Sequence, residues 1–345
     1  MRLKYSIIVI FCLLNLSLYI AEAEETNPVQ DQGIGVYIDQ DLFIPFTNED
    51  RDYTMGLAIE FFWAKDKGLY PLDRLLRSAG KWVGIKESSD NIVYSFMLGT
   101  LAYTPDDLSN PLPIYDDRPY SSLIYLSNKR IVTGHDSALA AEILLGLIGT
   151  DFARSFQSSF HSWYRDIDNA DEPVEPMGWA NQISDGGELT MRLRLTNSQL
   201  HPKLSTPGHF DVTTTTGLSL GFQTNASVSA AFRVGSIKSP FWSLPYDPVN
   251  RGNFLPSKAE DEWYFWSAFR AHLIGYDALL QGQFRDSAVT YSSDEIERLV
   301  YDGAAGLTLG FDKSQLTFSV NTKTSDLKHT SRKQTWGSVN YIYHF

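Results

Sequence analysis

Ser338-Val339-Asn340-Tyr341-Ile342-Tyr343-His344-Phe345 ends the chain. Side chains on a strand point alternately to opposite faces, so Val339, Tyr341, Tyr343 and Phe345 share one face. The same period of two runs back through the sequence. From Tyr53 to Trp63, one face carries Tyr53, Met55, Leu57, Ile59, Phe61 and Trp63, and the other carries Thr54, Gly56, Ala58, Glu60 and Phe62. Leu189, Met191, Leu193 and Leu195 alternate with Thr190, Arg192, Arg194 and Thr196. Val228, Ala230, Phe232 and Val234 alternate with Ser229, Ala231, Arg233 and Gly235, and Leu316, Phe318 and Val320 with Gln315, Thr317, Ser319 and Asn321.

About twelve such segments are expected, near 33–44, 53–65, 91–103, 119–129, 134–148, 187–197, 208–222, 225–236, 261–278, 299–312, 314–323 and 333–345. An even set of antiparallel strands of ~9–11 residues or more is what a membrane barrel requires, because hydrocarbon tolerates no unpaired sheet edge. Mean hydropathy is only -0.21. Alternating strands average to such a value, so it does not exclude a barrel. The predicted fold is an all-β transmembrane antiparallel barrel with extended loops and a short helical segment in a long external loop. A terminal aromatic such as Phe345 on an alternating strand resembles the signal by which barrel-assembly machinery recognises outer-membrane strands.

Arg2 and Lys4 precede a mostly apolar run, Tyr5 to Ile20, and Ala21-Glu22-Ala23 is a small-x-small site. The pattern reads as a secretory signal peptide over 1–23, leaving 24–345 as a single barrel domain. The run is shorter than the ~20 residues of a membrane helix. The one cysteine, Cys12, lies inside this leader, which suits a bacterial envelope protein better than a disulfide scaffold. A net charge of -12 and no basic block argue against nucleic acid.

With both termini in the periplasm, external connections fall near 45–52, 104–118, 149–186, 223–225, 279–298 and 324–332. Connections 66–90 and 237–260 are long for periplasmic turns, and Leu72 to Trp82 suits a short helix. The longest external connection holds Phe156 to Trp163. On a helix, Gln157 and His161 share a face, and Phe152, Phe156 and Phe160 form a neighbouring apolar stripe. A lone histidine there is more often structural than catalytic; its place on the external rim is what favours catalysis. Strand one ends in Asp39-Gln40-Asp41, which offers oxygen ligands of the kind calcium takes, or simply a solvated strand end. Strand two opens at Asp52-Tyr53-Thr54, bringing Thr54 to the same rim. Asp116-Asp117-Arg118-Pro119-Tyr120 opens strand four, where Arg118 has two aspartates within reach and proline suits a strand start.

These stretches together resemble the outer-membrane lipid A 3′-O-deacylases (LpxR-like). The family's Asn-Asp-x-Phe is similar to Gln40-Asp41-Leu42-Phe43, with glutamine in place of asparagine. Its Asp-x-Tyr-Thr-x-Gly is similar to Asp52-Tyr53-Thr54-Met55-Gly56. Tyr103-Thr104-Pro105 and Asp117-Arg118-Pro119-Tyr120 resemble the next two motifs. Gln157 to His161 and Gly178-Trp179-Ala180-Asn181-Gln182 resemble the last two. The resemblance implies a twelve-stranded barrel of the bacterial outer membrane whose rim cuts an acyl chain from lipid A, the membrane anchor of lipopolysaccharide, with calcium required. By position, His161 is the general base, and Gln157, Thr54, Gln40 and Asp41 complete the site. Asp41 is the expected metal carboxylate and Asp168, or Asp166, a second. A lysine of the third-strand loop in some members has no counterpart, since 104–118 contains none.

Three other readings compete. A non-catalytic barrel would serve as a pore or bind lipopolysaccharide, and a related esterase would act on phospholipid. A serine triad through Ser158, Ser159 or Ser162 lacks any Gly-x-Ser-x-Gly. Arg192, Arg194 and Arg233 are expected to face the interior and pair with Glu60 or Glu188. Trp263, Phe265, Trp266 and Phe269 are expected as wall and girdle aromatics.

Overall fold

The computed structural model describes residues 32–40, 43–44, 51–64, 74, 78, 92–168, 175–244 and 261–345, with the side chains of 64 and 160–168 outside that set. The leader, Asp41 and most of Leu72 to Trp82 lie outside the described residues; within that last stretch Arg74 and Ser78 are helical.

Twelve strands close into an antiparallel barrel. They are β1 (Gln32–Gln40), β2 (Asp52–Ala64), β3 (Ile92–Thr104), β4 (Ser121–Thr133), β5 (Ser137–Ile148), β6 (Glu188–Leu200), β7 (Phe210–Gly221), β8 (Gln223–Ser236), β9 (Glu262–Asp277), β10 (Leu299–Phe311), β11 (Ser314–Lys323) and β12 (Gln334–His344). Each pairs with its sequence neighbours, and β1 pairs with β12 from Gly33↔His344 to Gln40↔Gly337, so no edge is left open. Strands four, five and six differ from their expected ends: β4 runs on to Thr133, β5 starts at Ser137 and β6 reaches Leu200. Their polar residues there are buried rather than turn signals: Lys129 lies on the lumen side, and Arg130, on the opposite face by strand parity, is buried as well.

The outer wall carries the apolar set. Ile59, Phe61, Leu98, Leu126, Leu145, Val228, Phe232, Phe265, Phe269 and Leu273 are all exposed. The lumen holds the charged and polar set, and each ion inside requires a partner to offset its lost hydration. Arg233 pairs with Asp211 at 2.6 Å, directly opposite in the β7–β8 register. Arg192 pairs with Glu142 at 3.3 Å. Arg270 and His272 both meet Asp302, at 2.5 and 2.8 Å. The expected partners of Arg192 and Arg233 are therefore corrected; Glu60 accepts from Tyr37 at 2.9 Å, and Glu188 from Ser184 at 2.5 Å. Cross-strand register decides these pairs, and register cannot be read from one strand alone. Trp266 is likewise corrected to a buried residue, while Trp263, Phe265 and Phe269 lie on the wall.

Both mouths are packed. Phe241 and Trp242, in the β8–β9 connection, bury against Val93, Ile131 and Ala138 of β3, β4 and β5 across the lumen. At the other end, away from the termini, Phe222, Ala278 and Leu279 join Leu123, Ile148 and Ile183 in one core. This end is the rim. It carries a helix, α1 (Asp151–Asp168), and one helical turn, α2 (Ala278–Gln281).

Candidate active site

Strand β2 begins irregularly. Asp52 takes a positive φ of 58°, which aspartate tolerates better than most residues. The β2–β3 register then shifts between Tyr53 and Met55, a bulge at Thr54. A bulge adds a residue to one strand and re-aims its neighbours. It breaks the uniform alternation expected for Tyr53 to Trp63. Tyr53 turns into the lumen, where its hydroxyl donates to Asp39 at 2.7 Å and its ring meets Trp336 edge-on. Met55 turns to the outer wall. Thr54 is buried, and its Oγ1 lies 2.5 Å from Oγ1 of Thr104 at the end of β3.

The Asp39-Gln40 pair divides in the same way. Asp39 is buried on the lumen side with Tyr53. Gln40 is opposite Met55 in the register, on the wall side. Its Oε1 is buried with no hydrogen-bond partner among the described residues. The three residues expected to act together at this strand end are not brought together among the described residues: Asp39 belongs to the lumen and Gln40 to the wall, and Asp41 lies outside the described residues.

Above this wall sits α1. Ala153 and Trp179 pack with Met55, Ala102, Leu108 and Tyr120 in one apolar cluster. Gln157 is buried, and its Oε1 accepts from Trp179 Nε1 at 2.9 Å. Trp179 in turn rests on Tyr120, with ring centroids 4.8 Å apart. Gly178 makes that contact possible: a Cβ there would sit 2.5 Å from the Tyr120 ring. Gln182 accepts from Ser122 at 3.0 Å and donates to Asp185 at 3.0 Å. Thus Tyr120, Gln157, Trp179 and Gln182, from three separate motifs, meet on the outer wall beside Gln40, Thr54 and Thr104.

His161 lies on α1 four residues after Gln157, and Asp168 eleven after it. With 3.6 residues per turn these offsets place all three positions on one helix face. The side chains of His161 and Asp168 lie outside the described residues. Ser158 is half-buried and Ser159 is exposed, donating back to the Ser155 carbonyl at 2.7 Å. Ser162 is outside the described side chains.

Thr104 and Trp179 are the residues that reading by motif left without a role. A second threonine at the strand end facing Thr54 was the available signal for the first. For Trp179 the signal was its indole N–H, a donor that needs a partner when buried.

The loops holding the wall are pinned by charge. Arg118 pairs with buried Asp326 and stacks 3.7 Å over the Tyr103 ring; Asp117 pairs with Arg332. Arg118 was expected to meet Asp116 or Asp117, but the rim brings a distant loop closer. Burial alone would push the Asp326 carboxyl up, yet Lys323 and Arg118 hold it well below the usual carboxylate range. Burial pushes the Tyr291 phenol up to about 12, helped by Asp117 and Asp116. Its hydroxyl donates to the Asp117 carbonyl at 2.5 Å.

Among the described residues, no three His, Cys, Asp or Glu side chains group to hold a metal. The residues gathered on the wall offer neutral amide and hydroxyl oxygens instead.

No curated protein matches the chain. Among solved structures, LpxR from Salmonella typhimurium is 15% identical, with a TM-score of 0.67 over 91% of this chain and 100% of that one. The COG4313 outer membrane channel from Pseudomonas putida F1 is 10% identical, with a TM-score of 0.43 over 94% and 98%. At these identities the first likeness speaks for the barrel fold, and the second carries no argument. The sequence profile of the family described as "Outer membrane protein LpxR" matches residues 8–345, and the chain belongs to that family of outer-membrane proteins.

Proposed function

We propose that the protein is an outer-membrane esterase that removes a 3′-linked acyl chain from lipid A by water attack. The observation that carries this reading is that Gln40 and Thr54 lie on the outer-wall side at the rim, where α1, which carries Gln157, packs on the wall. A site on the wall rather than in the lumen lies on the lipid side of the barrel, as a hydrolase acting on a membrane lipid needs.

In the proposed mechanism a neutral His161 takes the proton from a water molecule, a role open to imidazole near pH 7 because its ordinary pKa is about 6.5. The hydroxide attacks the ester carbonyl. The tetrahedral intermediate collapses by breaking the carbon–oxygen bond to the sugar, the departing sugar oxygen takes the proton from His161, and the fatty acid is released, losing its remaining acidic proton to solvent. Gln157 is fixed by Trp179 and orients the helix face that carries His161. Gln40 Oε1, a buried oxygen with no described partner, and the Thr54 hydroxyl fit the hard-donor preference of calcium. Asp41 and Asp168 are the proposed carboxylate ligands. Calcium bound there would polarise the carbonyl and stabilise the oxyanion. Export by a leader over 1–23 and insertion through the Phe345 strand by barrel-assembly machinery complete the proposal.

Mass spectrometry of lipid A from cells with and without the protein tests this, run with calcium, with chelator and with His161→Ala. Loss of an ester-linked acyl chain that depends on His161 is expected. An unchanged pattern from a correctly inserted barrel with calcium present would falsify the reading. Phospholipid assayed in parallel separates the alternative substrate. The pore reading has the packed mouths against it.

A further inference from the structure

The phenylalanine stripe of α1 takes no part in the site. Each helical residue turns about 100° from the last, so Ala153 and Gln157 define the strip of α1 that faces the wall. Both are buried, at 0% and 3% exposure. The two flanks of that strip differ. Phe152 and Phe156 occupy one, 43% and 38% exposed, with ring centroids 6.3 Å apart in a stacked pair. Arg154 and Ser158 occupy the other, and Ser155 and Ser159 lie opposite the wall; Arg154, Ser155 and Ser159 are exposed. Nothing in the described fold covers the two rings.

We infer that α1 is an interfacial helix, its Phe152–Phe156 flank seated in the acyl region of the outer leaflet and its Arg154 flank in the polar layer above. A helix with an aromatic edge and a polar edge lies in the interface plane, with its apolar side buried ~5–10 Å into the headgroup–acyl boundary. The wall beneath α1 supplies the continuity. Met55 and Ala102 are packed under the helix assembly, and further from the rim on the same outer face Leu98 and Leu126 are exposed members of the lipid-facing belt. The apolar flank therefore extends the belt upward, past the strand ends, onto the helix. A second protein would need complementary contacts on the polar flank as well, whereas a leaflet needs only one greasy edge. The occupant is lipid acyl chain, and the inference holds whether or not the site is an esterase.

Site-directed spin labelling reads this without any substrate. Phe152→Cys, Arg154→Cys, Ser155→Cys, Phe156→Cys and, as a wall reference, Leu126→Cys are each made on a Cys12→Ser background. The full-length proteins are reconstituted in phosphatidylethanolamine–phosphatidylglycerol vesicles, and heat-modifiable gel migration confirms each barrel. Power saturation compares accessibility to oxygen, which partitions into acyl chains, with that to a water-soluble nickel chelate. Labels at 152 and 156 are expected to give an oxygen-to-nickel ratio several-fold above that at 155 and close to that at 126. Ratios at 152 and 156 equal to that at 155 would overturn the inference. So would an oxygen-rich environment at 154 and 155, since the helix would then be immersed whole. Either phenylalanine position decides alone if the other variant does not assemble.

Discussion

At the scale of single residues, the buried amide and hydroxyl groups make the sharpest predictions. Trp179→Phe keeps most of the packing but removes the donor that holds Gln157 Oε1. Taking away one partner of a buried polar group costs about 1–3 kcal/mol. If that cost falls on the geometry of the helix face, lipid A deacylation drops roughly tenfold or more, since ~1.4 kcal/mol is a factor of ten. Thr54 and Thr104 share one contact, so Thr54→Val and Thr104→Val should each lower activity while the double variant falls little further. Additive losses would show that the two hydroxyls act separately. Asp326 sets a pH dependence. Its folded carboxyl titrates below the unfolded value, so its stabilisation is present above pH ~4 and fades as pH falls toward the folded value. Limited proteolysis of the rim loops should therefore accelerate below pH ~4, and Asp326→Asn should make them equally susceptible at pH 7. Loops equally resistant at both pH values would remove the network from any role in rim order.

Among elements, the β2 bulge and the α1 connection decide the site. Period-two reading fails at Thr54 because one extra residue re-aims those before it, and no composition marks a bulge. That is why Tyr53 and Met55 were placed on one face, when Tyr53 belongs to the lumen and Met55 to the wall. Asp39 is kept from the rim chemistry by another cause: strand parity, whatever the sequence proximity, separates it from Gln40. The helix was legible from the Gln157–His161 and Phe152–Phe156 spacings, because four-residue steps share a face. Its partner segment was legible only as a motif, since the Trp179–Gln157 contact spans 22 residues. Gly178→Ala is expected to drive Trp179 off Tyr120, because the added carbon would lie 2.5 Å from that ring. Activity should fall while heat-modifiable migration, a property of the strands, stays intact. Full activity in Gly178→Ala would mean the wall cluster tolerates displacement.

Across the whole molecule, the strand count and the apolar outside were readable because lipid enforces alternation on every strand. The lumen was not. Arg192 and Arg233 were recognised as interior, but their partners depend on how neighbouring strands slide past each other. Nor does any local pattern announce that Phe241 and Trp242 cross the lumen to reach β3, β4 and β5. Purified protein in planar bilayers should carry no steady ionic current. Phe241→Ala with Trp242→Ala should raise the frequency of channel-like events by emptying that packing. A steady conductance from the native protein would show that the mouths open.

The seam between β1 and β12 reaches beyond architecture. The first described strand meets the last, and the Phe345 amide donates to the Gln32 carbonyl at 3.0 Å. Ring closure must therefore wait until β12 has been made, however early the other eleven strands were. A premature stop anywhere upstream leaves two unsatisfied edges and no smaller ring to fall back on. Such chains would be cleared as aggregates, so even late nonsense alleles should behave as complete nulls.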